Sequence, residues 1–452
     1  MGPNIFQAAL SQKSVWMTHL LVDMKQSHPM PNLQVWDSTF DIDFGRFQRA
    51  YHILVARHES LRTSFFYRKG ILWQEVHEFD AEMFKIQFFD WTNCLRDDQC
   101  ARFQRLRLKI KDSEFQDLSK IPLCKLVLVK VAQNEFIFLF SCHHIISDAQ
   151  TLSIVKGELF EFYQKLQESS TFNPPPIAMQ LREFLELRRS NMTHEYLERL
   201  NNYWKGKFRE YLFPTGKSQL LRNLGVESKG IDSHVARGKC WFSFAHVLGD
   251  KSRIICLGKK WGATPHAVLL SAFFACIFIC YDLEKLLIMA FLPGRSTVES
   301  KNIVGNLACQ IYVKASLNPS MTLKHVLQRV YADFLQSCRY PLCEVVEPDE
   351  FRVSEQCLFH FNFLTIRSNN TIGSIDHGWL SHNPDNGYFP LSLTVEEFYD
   401  GYCLRYCYDS ALYDVDRIDR FAKIYFQIVT LFIGKLDITL EKLKTMFCHD
   451  EL

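Results

Sequence analysis

The chain has 452 residues, a length at which a single hydrophobic core normally divides, so two domains of about 150–250 residues are expected. With 47% hydrophobic and 23% charged residues it has the make-up of packed globular protein, which excludes disordered and fibrous classes. A formal net charge of +2, without any long run of Lys and Arg, argues against nucleic acid or an anionic membrane surface as the main partner. The 15 cysteines include no Cys-x-x-Cys pair, so neither a zinc ribbon nor a compact disulfide framework is expected, and reduced thiols in a cytoplasm fit best. The start of the chain, MGPNIFQAALSQKSVW, has no basic stretch leading into a long apolar run, so a secretory leader is not expected and the expected location is cytoplasmic.

In chain order, Phe44, Phe47, Ala50, Tyr51, Leu54 and Val55 recur at helical spacing and predict an amphipathic helix ending near His58. The runs LRTSFFY and ILWQEV, separated by Arg68, Lys69 and Gly70, predict a hairpin whose glycine can take the positive φ of a tight turn. A second hairpin is expected at CKLVLVKV and FIFLFSC. Its second strand is apolar on both faces, as a central strand should be, and it runs into His143. Helical spacing resumes at Leu152, Val155, Leu159, Phe162 and Leu166, so HHIISD is expected to form a strand-to-helix turn. The three prolines closing SSTFNPPP at Pro176 cannot sustain a helix or central strand and place the expected domain boundary there, giving domains 1–176 and 177–452. Beyond it come helices at LREFLELRRS and HEYLERLNNYWKGKF, a strand at KCWFSF, a core helix from Ala267 to Tyr281, and strands at FHFNFLTI and YCLRYCYD. The core helix falls short of the roughly 20 residues that span a membrane. These elements predict an α/β architecture in two lobes.

The sharpest local feature is Cys142-His143-His144-Ile145-Ile146-Ser147-Asp148, polar groups at the end of a very apolar strand, where burial is costly unless each is paired. Three readings are open from these residues. The histidines can cap the strand by bonding backbone groups. They can bind zinc, although neighbours in a strand point to opposite faces and no second ligand pair lies at zinc-like spacing. Or one can act as a general base, since an imidazole pKa of about 6.5 lies near working pH, while the other and Asp148 hold the turn.

The pattern His-His-x-x-x-Asp followed by a helix resembles the signature of the chloramphenicol-acetyltransferase-like superfamily, and neighbouring blocks resemble nonribosomal peptide synthetase condensation domains within it. LSQKSVW at Leu10–Trp16 is similar to their opening motif, and LVARHESLRTSF at Leu54–Phe65 to their second. Tyr203-Trp204, Gly294-Arg295 with Ile303-Val304-Gly305, FPLSLTVEEF and CYDSALYD are similar to later blocks in the same order. The resemblance implies two chloramphenicol-acetyltransferase-like lobes in a V around a tunnel, with an enzyme that joins a carrier-bound acyl or aminoacyl thioester to an amine in nonribosomal peptide or hybrid natural-product biosynthesis. It implies that His144 is the base, that His143 and Asp148 support it, and that Arg62 pairs with Asp148 to fix the turn. It also places Ala149 near the donor's pantetheine arm, and Arg295 and Gly305 at a tunnel or latch. No metal or organic cofactor is implied. Substrates are expected on the phosphopantetheine of carrier proteins acting in trans on a monomer.

Three positions depart from the family pattern: Ala149 stands where glycine is usual, Cys309 where asparagine is common, and Ser337-Cys338 where His-Gln is common. An ester-forming acyltransferase would use the same base on an alcohol acceptor, and a recruitment module would keep the shape without catalysis. A serine hydrolase is disfavoured by the lack of a Gly-x-Ser-x-Gly elbow, and a kinase or adenylating enzyme by the lack of a Gly-rich phosphate loop.

Overall fold

The computed structural model describes residues 4–23, 31–113, 115–211, 240–249, 251–295, 297–342, 357–365, 390–409 and 412–447. These form two compact units of mixed α/β structure. Lys239, Ile366, Phe389, Ser410 and Ala411, which belong to the strand blocks read from sequence, lie outside the described residues.

The first unit takes in Met1–Thr193 and Pro293–Ala308. Its elements are β1 (Ile5–Gln7), α1 (Leu10–Asp23), β2 (Pro31–Ser38), α2 (Phe44–Arg57), β3 (Thr63–Arg68), β4 (Ile71–Val76), β5 (Gln87–Asp90), α3 (Arg96–Ser113), β6 (Cys124–Ala132), β7 (Glu135–His143), α4 (Ala149–Glu168) and α5 (Leu181–Ser190). Both predicted hairpins are present. β3 and β4 meet through Lys69 and Gly70, at φ 51° and 79°, and β6 and β7 join through Gln133 and Asn134. The main sheet runs β2-β7-β6-β5, so β7 is central and must bury both faces. Along it Phe136, Phe138, Phe140 and Cys142 pack with Phe47, Leu54, Val155 and Leu159 of α2 and α4. The alternate residues Ile137 and Leu139 pack with Phe103 and Ile110 of α3. A two-residue period therefore turns one apolar run into two cores, and it delivers His143 and His144 at the end of a buried rod.

The domain boundary expected at residue 176 is corrected by this division. α5 stays with the first unit because Leu181, Phe184 and Leu185 bury against Phe6, Ala9, Val76, Ile303 and Leu307. The same cluster anchors the returning segment Pro293–Ala308, which no boundary drawn at a single point of the chain could capture.

The second unit takes in His194–Leu292 and, among the described residues, the chain from Cys309 onward. It contains α6 (His194–Tyr211), β8 (Cys240–Leu248), α7 (Lys251–Lys260), α8 (Pro265–Tyr281), β9 (Lys285–Leu292), β10 (Cys309–Ser316), α9 (Leu323–Cys338), β11 (Phe359–Thr365), β12 (Leu391–Glu397), β13 (Tyr402–Asp409), α10 (Val415–Gly434) and α11 (Leu440–Phe447). Six strands run in the order β10-β9-β11-β12-β13-β8, with β11 parallel to β9 and β12. α8 is the predicted core helix: Thr264 caps its N-terminus, Pro265 occupies the first turn, and it is buried almost all round. Among the described residues no single helix is long and apolar enough to cross a membrane.

Candidate active site

The predicted strand-to-helix turn exists. β7 ends at His143, residues His144–Ile146 make one 3-10 turn, and Asp148 caps α4 by accepting the Thr151 backbone N–H at 2.8 Å. The two histidines meet different surroundings. His143 is fully buried, and its Nδ1 accepts the backbone N–H of Ile145 at 3.1 Å, so the ring proton sits on Nε2. Burial first, and the neighbouring His19 and His144 rings second, hold its pKa well below the ordinary imidazole value, so it is neutral. His144 is only half-buried, and its Nδ1 lies 2.7 Å from the Ser147 carbonyl oxygen. A carbonyl can only accept, so Nδ1 carries a proton, and in the neutral ring Nε2 carries the lone pair that a general base needs.

The turn itself is held carbonyl by carbonyl. Ser147 Oγ donates to the His143 carbonyl at 3.0 Å, Asn306 Nδ2 to that of His144 at 2.9 Å, and Gln12 Nε2 to that of Ile145 at 3.2 Å. Three side chains from three parts of the sequence thus occupy groups that a lone 3-10 turn would leave to water. Asn306 is fixed in turn by Ser11, whose hydroxyl donates to its carbonyl at 3.0 Å.

Asp148 does not pair with Arg62. Its carboxylate takes a two-point contact from Arg295, Nη1 to Oδ2 at 2.7 Å and Nη2 to Oδ1 at 3.0 Å, and Oδ2 also accepts the Leu307 N–H at 3.0 Å. Arg295 further donates to the carbonyls of Pro293, Ile303 and Gly305, so the pair is buried with its polar atoms satisfied. Arg62 instead donates from Nη1 to the His77 carbonyl and clamps the end of the β3–β4 hairpin. The guanidinium that fixes the turn therefore comes from the returning segment, 147 residues downstream. Arg295 and Gly305, expected at a tunnel or latch, also support the motif aspartate. Thr151 Oγ1 donates to the Gly305 carbonyl and accepts the Gly305 N–H, both at 2.9 Å. Gly305 has φ +150°, and a Cβ there would come within 2.8 Å of Leu181 Cδ2, so only glycine lets the segment close on α4 and α5. Ala149 is exposed at the first position of α4.

Sequence reasoning missed Gln12, Asn306, Thr151 and Ser147. Gln12 lies inside a block already singled out, Asn306 directly follows one, and Thr151 stands three residues after a capping aspartate, which was the available signal. Of the other departures, Ser337 sits within the second unit, where its hydroxyl accepts from the buried Lys207 at 2.7 Å, and Cys309 opens β10. Among the described residues no group of three or more His, Cys, Asp and Glu is placed to hold a metal ion.

Comparison with known proteins follows the same line. The family model of the condensation domain matches residues 5–449. Tyrocidine synthase 3 from Brevibacillus parabrevis is 26% identical over 98% of this chain, and surfactin synthase subunit 1 from Bacillus subtilis is 23% identical over 92%. The chain spans only 6% and 11% of those relatives' own lengths. Among solved structures, the first condensation domain of the calcium-dependent antibiotic synthetase superposes with a TM-score of 0.74 at 13% identity, covering 98% of this chain and 99% of that one. The cyclization-docking bidomain EpoB from Sorangium cellulosum gives 0.74 at 17% identity, covering 95% and 85%. At such identities the structural likeness is one of fold. Matched from residue 5 to residue 449, the chain belongs to the condensation domain family, a family of acyltransferases.

Proposed function

We propose that the chain forms an amide between an acyl or aminoacyl thioester, carried on the phosphopantetheine of a carrier protein, and an amine acceptor, with His144 as the base. The observation that carries this reading is the His144 Nδ1 contact to the Ser147 carbonyl at 2.7 Å, which fixes the tautomer with a lone pair on Nε2 at a half-buried position. Nε2 takes a proton from the acceptor amine as its nitrogen attacks the thioester carbonyl. The C–N bond forms, the C–S bond breaks, and the proton passes from the imidazolium to the departing thiolate. The step balances without a metal or organic cofactor. A base held in one tautomer by a pinned turn also loses little freedom when the partners arrive, which is how positioning lowers the barrier. His143 and Asp148 serve that rigidity, and Ala149 adds a methyl group beside the cap on the donor side.

The test is a single-turnover incubation of a phosphopantetheine-borne donor with a panel of amines and alcohols, read by intact mass. Amide product is the expected result. Ester product would replace the amine with an alcohol as acceptor. Carrier binding without product from any pair would leave a recruitment module.

A further inference from the structure

His143 and a residue outside every motif, His19, are both buried, at 0% and 4% exposure, with their rings edge to face at 5.1 Å between centroids and 80° between planes. Each ring has one nitrogen whose role is settled. His19 Nε2 lies 3.0 Å from the Gln116 carbonyl oxygen, so it carries the proton and Nδ1 is an acceptor. His143 Nδ1 accepts from Ile145, so Nε2 is a donor. The remaining two nitrogens, His19 Nδ1 and His143 Nε2, are both among the buried side-chain atoms that have no hydrogen-bond partner among the described residues. One orphaned acceptor and one orphaned donor thus lie on two neighbouring buried rings with no direct hydrogen bond between them, and buried polar groups left unmade are costly.

We infer that His19 is a positioning residue for the catalytic turn, its Nδ1 taking the Nε2–H of His143 through one bridging water. A line of hydrogen bonds then runs from the Gln116 carbonyl through His19 and His143 to the N–H of Ile145, the residue after His144. Gln12, seven residues before His19 and so on the same face of α1, holds the Ile145 carbonyl. α1 thereby fixes both polar groups of Ile145, one through Gln12 and one through the imidazole pair. The effect on rate rests on the reading of His144 as the base. The hydrogen-bond pairing does not.

Long-range proton–nitrogen correlation spectra of the imidazoles, run beside kinetics of His19→Phe and His19→Asn, test this. Phenylalanine keeps the ring but removes the acceptor, whereas the asparagine Oδ1 falls near the place of Nδ1. The expected spectrum shows His143 neutral with a downfield, hydrogen-bonded Nε2–H, which moves upfield in the phenylalanine variant. The phenylalanine variant should turn over about tenfold more slowly with unchanged half-saturation for donor and acceptor, and asparagine should restore most of the rate. His143 found as the Nδ1–H tautomer or as a cation at neutral pH, or equal losses in the two variants, would overturn the inference. The wild-type spectrum decides the pairing even if a variant fails to fold: a downfield, hydrogen-bonded His143 Nε2–H is expected, and an Nε2–H at the position of an unbonded imidazole would overturn it. Should His144→Ala leave turnover intact while the expected tautomer is observed, the base assignment fails and the imidazole pair stands.

Discussion

Arg295 grips both carboxylate oxygens of Asp148, at 2.7 and 3.0 Å, with side-chain exposures of only 3% and 5%. Removing the cation would leave a buried carboxylate uncompensated, so Arg295→Ala should destabilise the chain by about 3–5 kcal/mol. Arg295→Lys should recover only part of this, since an ammonium is a point charge and cannot meet two oxygens as a planar fork does. Asp148→Asn combined with Arg295→Ala should cost less than the sum of the two single changes. Denaturant midpoints of the wild type and the four variants check all three statements, and full additivity would show that the pair is not coupled.

Gly305 is the steric counterpart of that electrostatic clamp. With φ at +150° and Leu181 Cδ2 at 2.8 Å and Ser60 Oγ at 3.2 Å from an added Cβ, Gly305→Ala should cost about 1–3 kcal/mol. In a Leu181→Ala background the cost of Gly305→Ala should fall, since the closest contact is gone, and leave the Ser60 contact and the backbone part. Unchanged thermal stability of the single variant would contradict the account.

His266, in the second unit, gives an acid-sensitive element away from the turn. Its ring packs against Phe334, Phe361 and Phe363, and burial lowers its pKa to about 4. The unfolded ring titrates near 6.5, so between about pH 6.5 and 4 the unfolded chain binds a proton that the folded one refuses. The stability contributed by the neutral ring is complete above the unfolded value and is lost as pH falls through this window. His266→Phe should therefore narrow the stability gap between pH 7 and pH 5 by at most about 2 kcal/mol, with little change at pH 7. Unfolding curves at the two pH values measure it, and an unchanged gap would place the acid sensitivity elsewhere.

How far the sequence alone reached follows from how local each signal is. The helix from Phe44, the two hairpins and the turn HHIISD each occupy a short window in which a 3.6- or 2-residue period, or a turn residue, carries the information. The boundary and the Asp148 partner do not. Choosing between Arg62 and Arg295 requires knowing that Pro293–Ala308 returns to the first unit, a tertiary fact with no local trace. His19 was silent for a related reason: a histidine on a mostly apolar helix looks the same whether or not another imidazole waits across the core.

The central claim is that His144 Nε2 is the base, and the most direct measurement compares single-turnover product formation by the wild-type chain and by His144→Ala under matched donor and acceptor concentrations. The account predicts a rate lower by about 10²–10⁴ in the variant, with the denaturation midpoint and carrier binding retained. Equal rates in the two proteins would contradict it.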